Sequence, residues 1–284
     1  MDSSQKKYLF IHVMKTGGTS FADIIEANFE ISQRYPGDIL ETEENAFRRM
    51  EAYLYAPGIL AAIQARPEKY RIICAHVPYA IRALLPGDYI TLSVLRDPIT
   101  RTISYLKHCR RYHKEHMGLP LEEIYEDEWF NASFIANYQT KLFSMTPQEI
   151  LAEERYGSYT PALPARSELG DGENLTPELI ALGERGGGRF SMECFAASTG
   201  VITIDDRRFE RACENLHSTD LVGVTENYGR FLEQLVNRYS WTVDSIPHRH
   251  AGEVENISKE LLRRIERDNA ADIELHDLAT SLSN

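Results

Sequence analysis

Hydrophobic positions along this chain fall into short continuous runs, which are separated by longer segments with helical spacing. The continuous runs, each predicted to be a β-strand, are residues 8–13, 71–75, 89–95, 200–204 and 221–224, the last two being the weakest. Alternation of strands with helical segments is typical of a parallel sheet with helices on both faces. The pattern therefore predicts an α/β fold with a central parallel sheet flanked by helices.

Helical spacing is clearest at residues 228–239. The apolar stripe of this segment, which we assign to the core, consists of Phe231, Leu232, Leu235 and Val236. A long amphipathic helix is predicted near the end of the chain, after a polar loop at residues 247–252. Residues 157–190 are rich in glycine and proline and predict a mobile excursion that would admit an acceptor in a transferase. We expect a single domain over residues 1–284.

The turn after the first predicted strand concentrates lysine, glycine and hydroxyl residues. It reads Lys15-Thr16-Gly17-Gly18-Thr19-Ser20, and a helix is predicted to follow it. Glycine lets a backbone approach an anion closely, and the N–H groups at a helix start favour negative charge. This turn predicts a phosphate-like ligand, although an ordinary tight connection is the alternative. Lys15 precedes the glycines, so the turn is neither a nucleotide-hydrolase P-loop nor a G-x-G-x-x-G fingerprint.

A second candidate element follows the strand at residues 89–95. It reads Arg96-Asp97-Pro98, with Pro98 suited to a first helical turn and Asp97 to its cap. Arg96 should then lie at the carboxyl end of a strand, where open α/β sheets bind ligands, with Ser104 about two turns into the helix. A surface salt bridge for Arg96 and a solvated hydroxyl for Ser104 are the alternatives.

These two elements resemble those of the 3′-phosphoadenosine 5′-phosphosulfate (PAPS)-dependent sulfotransferases, closest to the branch that includes heparan sulfate 2-O-sulfotransferase. The 5′-phosphosulfate loop of that family is matched by residues 15–21, with Met14 where proline is usual. Its 3′-phosphate element is matched by Arg96-Asp97-Pro98 and by Ser104, eight residues after the arginine. Shorter, weaker similarity occurs at residues 73–77, 137–141, 222–226 and 272–275.

The resemblance implies a P-loop-nucleotide-kinase-like sulfotransferase fold and a role for each matched residue. The 5′-phosphate would be bound by Lys15, Thr16, Gly17, Gly18, Thr19 and Ser20, and the 3′-phosphate by Arg96 and Ser104. Lys15 would also stabilise the leaving phosphate. His76, in a His-Val context after a predicted strand, would be the general base, a role that suits imidazole with its ordinary pKa of about 6.5. A structural role is the alternative for His76, and we assign His12 to packing.

The implied activity is transfer of a sulfuryl group from PAPS to a hydroxyl of a small-molecule, glycan or lipid acceptor, with adenosine 3′,5′-bisphosphate as product. An ATP-dependent small-molecule kinase is the alternative enzyme, and a nucleotide-binding protein without transferase activity is the alternative that is not an enzyme. The sequence disfavours the kinase, because it lacks a recognisable lysine-hydroxyl pair for magnesium.

Charge and composition further limit the classes of partner that this protein is expected to bind. The net charge of −12, with 31 basic and 43 acidic residues, argues against nucleic acid. Basic residues nevertheless concentrate at residues 96–116, either as a solvated helix face or as a collar that attracts an anionic substrate. We identify no group of cysteine, histidine and carboxylate residues at metal-ligand spacing and expect no metal. The four cysteines are scattered and no apolar run approaches 18 residues, so we expect a soluble, cytoplasmic protein. The heparan-modifying enzymes that the chain resembles are membrane-anchored, and this difference from them suggests a bacterial-type enzyme.

Overall fold

The structure is a computed structural model of the chain. It describes residues 6–37, 53–113, 116–151, 195–196, 198–243 and 256–284. The predicted excursion at 157–190 and the predicted loop at 247–252 lie outside the described residues.

A five-stranded sheet forms the centre of the protein, in the order β2-β3-β1-β4-β5, and all its strand pairs are parallel. Its strands are β1 (Tyr8–Ile11), β2 (Arg34–Tyr35), β3 (Ile72–Ala75), β4 (Ile90–Leu95) and β5 (Leu221–Val224). The α/β class and the parallel central sheet predicted from the sequence are confirmed.

Two strand predictions fail for local reasons. The strand predicted at residues 200–204 is wrong, because the Ile202 N–H donates to the Thr199 carbonyl in a turn and Val201 is exposed. Conversely, the sequence does not predict β2, because its two residues, Arg34 and Tyr35, are too few to show a periodic pattern.

Helices cover both faces of the sheet. Those in the described residues are α1 (Gly18–Asn28), α2 (Ala56–Ala65), α3 (Pro98–Tyr112), α4 (Leu121–Glu126), α5 (Glu128–Phe130), α6 (Tyr138–Ser144), α7 (Pro147–Leu151), α8 (Asp206–His217), α9 (Tyr228–Tyr239), α10 (Lys259–Asp268) and α11 (Ala270–Leu282). Short 3₁₀ helices span Ile31–Gln33, Tyr79–Leu84 and Thr225–Asn227, and a π-helical turn spans Asn131–Ile135. No helix of these described segments is both long enough and apolar enough to cross a bilayer.

The pleat of β1 divides the core into two clusters. Tyr8 and Phe10 point toward α1 and α9, whereas Leu9 and Ile11 belong to the larger cluster on the opposite face. Helix α9 has the predicted bounds, and Phe231, Leu232 and Leu235 are buried. The prediction is wrong for Val236, which is 42% exposed at the margin of the stripe.

The predicted long helix near the end of the chain is two helices, α10 and α11, joined at Asn269. The Asn269 side chain donates to the Ile265 carbonyl and accepts from the Asn137 N–H. With these bonds in place, the backbone of Asn269 departs from helical geometry, and the residue is fully buried. Asn269, at the break between α10 and α11, therefore connects these two helices to the segment before α6.

Strand order also locates the expected binding crevice. From β1 the chain continues to β2 and β3 on one side, whereas from β4 it crosses to β5 on the other side. The connections thus diverge between β1 and β4, at the kind of switch point where open α/β sheets bind ligands beyond the carboxyl ends of their strands.

Candidate functional site

The turn between β1 and α1 has the backbone geometry of an anion-binding loop. Lys15 and Gly17 lie in the left-handed region, with φ of 69° and 89°. The buried Thr16 hydroxyl donates to the Val13 carbonyl over 2.9 Å, so it stabilises the turn. Helix α1 begins at Gly18, and Gly17 offers no side chain to cap it. The N–H groups of Ser20 and Phe21 donate to the Gly17 carbonyl, so an anion at the helix start would be bound by the N–H groups before them, those of Gly18 and Thr19.

His12 explains why Gly18 must be a glycine. Strand alternation places His12 on the α1 face of the sheet with Phe10, and the two ring centroids are 5.6 Å apart. A Cβ atom added to Gly18 would lie 1.7 Å from His12 Nε2. The histidine ring therefore occupies the space that any side chain at residue 18 would need, and it packs against the loop. This agrees with the packing role assigned to His12, although the sequence did not indicate its partner.

We expect Gly18→Ala to lower the free energy of unfolding by about 1–3 kcal/mol, because the new methyl group must displace the His12 ring or the loop. Chemical denaturation measures the loss. The single variant His12→Ala and the double variant His12→Ala/Gly18→Ala complete a double-mutant cycle, in which the alanine at residue 18 should cost less once the ring is removed. An unchanged free energy of unfolding in Gly18→Ala, or an equal cost in both backgrounds, would show that this contact does not support the loop.

Arg96 joins the end of β4 to this loop. Its Nη1 donates to the Lys15 carbonyl over 3.2 Å, and its Nε donates to Thr100 Oγ1 over 3.2 Å. Among the described residues no acceptor engages Nη2. Lys15 and Arg96, which are 81 positions apart in sequence, thus meet at one crevice.

Segments with only weak resemblance in the sequence hold Arg96 in place. The buried Gln139 side chain accepts from the Arg96 N–H over 3.1 Å and donates to the Arg96 carbonyl over 2.9 Å. The buried carboxylate of Asp272 in turn accepts from the N–H groups of Gln139 and Thr140 and from the Thr140 hydroxyl. Sequence reasoning missed Gln139 and Asp272 as positioning residues, and the only signal for them was the resemblance at residues 137–141 and 272–275.

The residue after Arg96 performs the predicted capping role. Asp97 accepts from the Thr100 N–H over 2.8 Å, and Pro98 opens α3. The Asp97 N–H donates to Glu226, which also contacts His276 Nε2 at 3.1 Å. Burial alone would raise the pKa of Glu226, but its hydrogen bonds from His276, Asp97 and Thr225 outweigh burial and lower the pKa to about 2. Glu226 is therefore ionised and fixes the start of α3 to the end of β5.

Ser104 lies on the same face of α3 as Thr100 and His108, one turn from each. Thr100 contacts Arg96, and His108 lies within electrostatic range of Lys15. Ser104 is partly exposed and lies between these two residues along one face of α3.

His76 stands beside the loop because of strand register. Ile11 pairs with Ala75 in the sheet, so the next residues, His12 and His76, are neighbours and their ring centroids are 4.2 Å apart. His76 Nδ1 lies 2.7 Å from the His12 carbonyl oxygen. Because a carbonyl only accepts, Nδ1 carries the proton and Nε2 keeps its lone pair. Burial lowers the pKa of His76 to about 4, with the His12 carbonyl opposing and Lys15 reinforcing the shift.

Positive charge accumulates around the crevice. Burial lowers the pKa of Lys15; Cys109 opposes this, and the nearby Arg96 and Arg111 add to it. Burial also lowers the pKa of His108 to about 4, and Lys15 contributes to that shift. His108 is therefore neutral at neutral pH, whereas Lys15, Arg96 and Arg111 are cations that destabilise one another. A multiply charged anion bound among these three would be stabilised by all of them.

Two further features of the structure lie outside this crevice. The cavities found in the described residues, of about 560 and 480 Å³, include neither Lys15, His76 nor Arg96 in their walls. The sequence analysis also overlooked a cluster at the end of α3, where one ligand atom from each of Cys109, His113 and His116 lies within 4.8 Å of the others.

Comparison with known proteins adds no assignment. No protein-family model matches the chain, and no curated protein matches it significantly.

Proposed function

We propose that this protein is a PAPS-dependent O-sulfotransferase with a P-loop-nucleotide-kinase-like sulfotransferase fold. The loop at residues 15–20 would bind the 5′-phosphosulfate, and Arg96 with Ser104 would bind the 3′-phosphate. The observation that carries this proposal is the bond from Arg96 Nη1 to the Lys15 carbonyl. This bond brings the turn after β1 and the end of β4 together at one switch point, which supports binding of a ligand with a phosphate group at each end.

The position of His76 supports an acid–base role in this transfer. The acceptor hydroxyl oxygen would attack sulfur while Nε2 of His76 takes the hydroxyl proton. The bond from sulfur to the 5′-phosphate oxygen would break, and the electron pair would leave on that oxygen as adenosine 3′,5′-bisphosphate forms. Nδ1 is held by the His12 carbonyl, so Nε2 is the nitrogen with a lone pair for this step.

Lys15 would stabilise the charge that develops on the leaving phosphate. Its ammonium group lies within electrostatic range of both His76 and Arg96. Charge stabilisation of this kind, together with positioning, dominates the related transfer of phosphoryl groups. The acceptor would be a hydroxyl compound of the small-molecule, glycan or lipid class.

The experiment that tests this proposal compares two nucleotides by calorimetry. We expect adenosine 3′,5′-bisphosphate to bind more tightly than ATP with magnesium, because only the former has a phosphate for Arg96. Tighter binding of ATP would favour the kinase alternative and overturn the proposal. A protein that binds the bisphosphate but transfers no labelled sulfate to a broad panel of hydroxyl acceptors would instead be a nucleotide-binding protein without this activity.

A further inference from the structure

The last turns of α3 bring together a thiol and two imidazoles. Cys109 and His113 are four residues apart and therefore lie on one face of the helix, and the His116 N–H donates to the His113 carbonyl in the turn that follows. One ligand atom from each residue lies within 4.8 Å of the others. Cys109 is fully buried and forms no disulfide bond with a described cysteine, and His116 is only 6% exposed.

His116 has one nitrogen without a partner. Its Nδ1 is buried and has no hydrogen-bond partner within the part of the chain that the structure describes. Its Nε2 lies 3.8 Å from Asp127 Oδ2. This separation is longer than a hydrogen bond, so the contact is electrostatic, and it favours a proton on Nε2, which leaves the Nδ1 lone pair for a ligand. A buried nitrogen without a partner is costly in a purely structural site.

We propose that Cys109, His113 and His116 form a zinc-binding site, with Asp127 orienting His116 and a fourth position left to water. One thiolate and two imidazoles suit zinc, which takes sulfur and nitrogen ligands in tetrahedral geometry. Binding releases the Cys109 proton, because the thiolate is the form that binds metal. The site lies on α3 beside the cation-lined crevice and does not depend on the identity of the donor nucleotide.

Cobalt(II) is the spectroscopic probe for this site, because a thiolate bound to cobalt gives a near-ultraviolet charge-transfer band. We expect the metal-free wild-type protein to show this band on titration with cobalt and to lose it when zinc is added. Cys109→Ser should abolish the band, whereas the matched control Cys213→Ser should retain it. Magnesium should not bind, since it prefers oxygen ligands.

Two further variants keep the test decisive. Because Cys109 is fully buried, its variant can lose the fold, so the partly exposed His113→Gln is titrated in parallel with circular dichroism as the check on folding. Asp127→Asn removes the negative charge beside His116 and should weaken zinc binding without removing the cobalt band. Absence of the band in the wild-type protein, its persistence in folded His113→Gln, or its loss in Cys213→Ser would overturn the proposal.

Discussion

Replacement of His76 by glutamine is expected to lower kcat for sulfuryl transfer by about 10²- to 10⁴-fold, the usual contribution of a general base. Glutamine is similar in size and has an amide that can donate hydrogen bonds, but it cannot accept the hydroxyl proton at neutral pH. Affinity for adenosine 3′,5′-bisphosphate should therefore change little. Steady-state kinetics and calorimetry on the same preparation separate the two effects.

His217→Gln is the matched control, because His217 lies at the end of α8 and is exposed. It should leave both kcat and affinity unchanged. If His76→Gln retained wild-type kcat, or lost donor affinity as strongly as kcat, His76 would be a structural residue.

The pH dependence of the wild-type protein gives a second view of His76. Its pKa is lowered to about 4 in the free protein, first by burial, against the His12 carbonyl and with help from Lys15. A base must be neutral, so kcat/KM for the donor should fall as pH drops through about 4. Bound donor adds negative charge, which favours imidazolium, so the acidic limb of kcat should lie at higher pH. A limb of kcat below that of kcat/KM, at pH values where circular dichroism shows the native fold, would contradict this role.

Lys15→Ala should also have a large effect, with a loss of kcat of about 10²- to 10³-fold, comparable to removal of a donor that stabilises a developing oxyanion. The loss of donor affinity should be smaller, because the backbone of the loop and Arg96 still bind phosphate. The Lys15 carbonyl remains in place to accept from Arg96. The same kinetic and calorimetric pair measures both losses.

Lys69→Ala removes the same charge at the opposite edge of the sheet, before β3 begins, and serves as the control. This control variant should leave both kcat and donor affinity nearly unchanged. Equal losses of kcat and of affinity in Lys15→Ala would assign Lys15 to general anion binding rather than to the leaving group.

The parts of the site that the sequence predicts are those encoded locally. Gly17 marks the turn because its left-handed backbone favours glycine, and Asp97-Pro98 marks the start of α3 because capping depends on neighbouring residues. Arg96 follows from its place at the end of a recognisable strand. Such features need no knowledge of distant contacts.

The parts that the sequence does not predict depend on contacts between distant segments. Gln139 lies 43 positions from Arg96, and only the fold brings its amide to both backbone groups of that residue. Strand register pairs His12 with His76, and no pattern within either strand reveals that register. For Cys109 and His113, by contrast, the helical spacing was present in the sequence and was overlooked.

The central claim is that Lys15 and Arg96 bind opposite ends of one doubly phosphorylated nucleotide. Calorimetry with adenosine 3′,5′-bisphosphate and adenosine 5′-phosphate, on wild type, Arg96→Ala and the exposed control Arg263→Ala, tests it most directly. We predict that Arg96→Ala weakens bisphosphate binding about 10- to 100-fold, from the loss of about 1.5–3 kcal/mol of charge-assisted hydrogen bonding. Binding of the monophosphate should weaken much less, because it loses only the support that Arg96 gives the loop through the Lys15 carbonyl. Equal weakening for both nucleotides, or equal affinity of the wild type for both, would contradict the account.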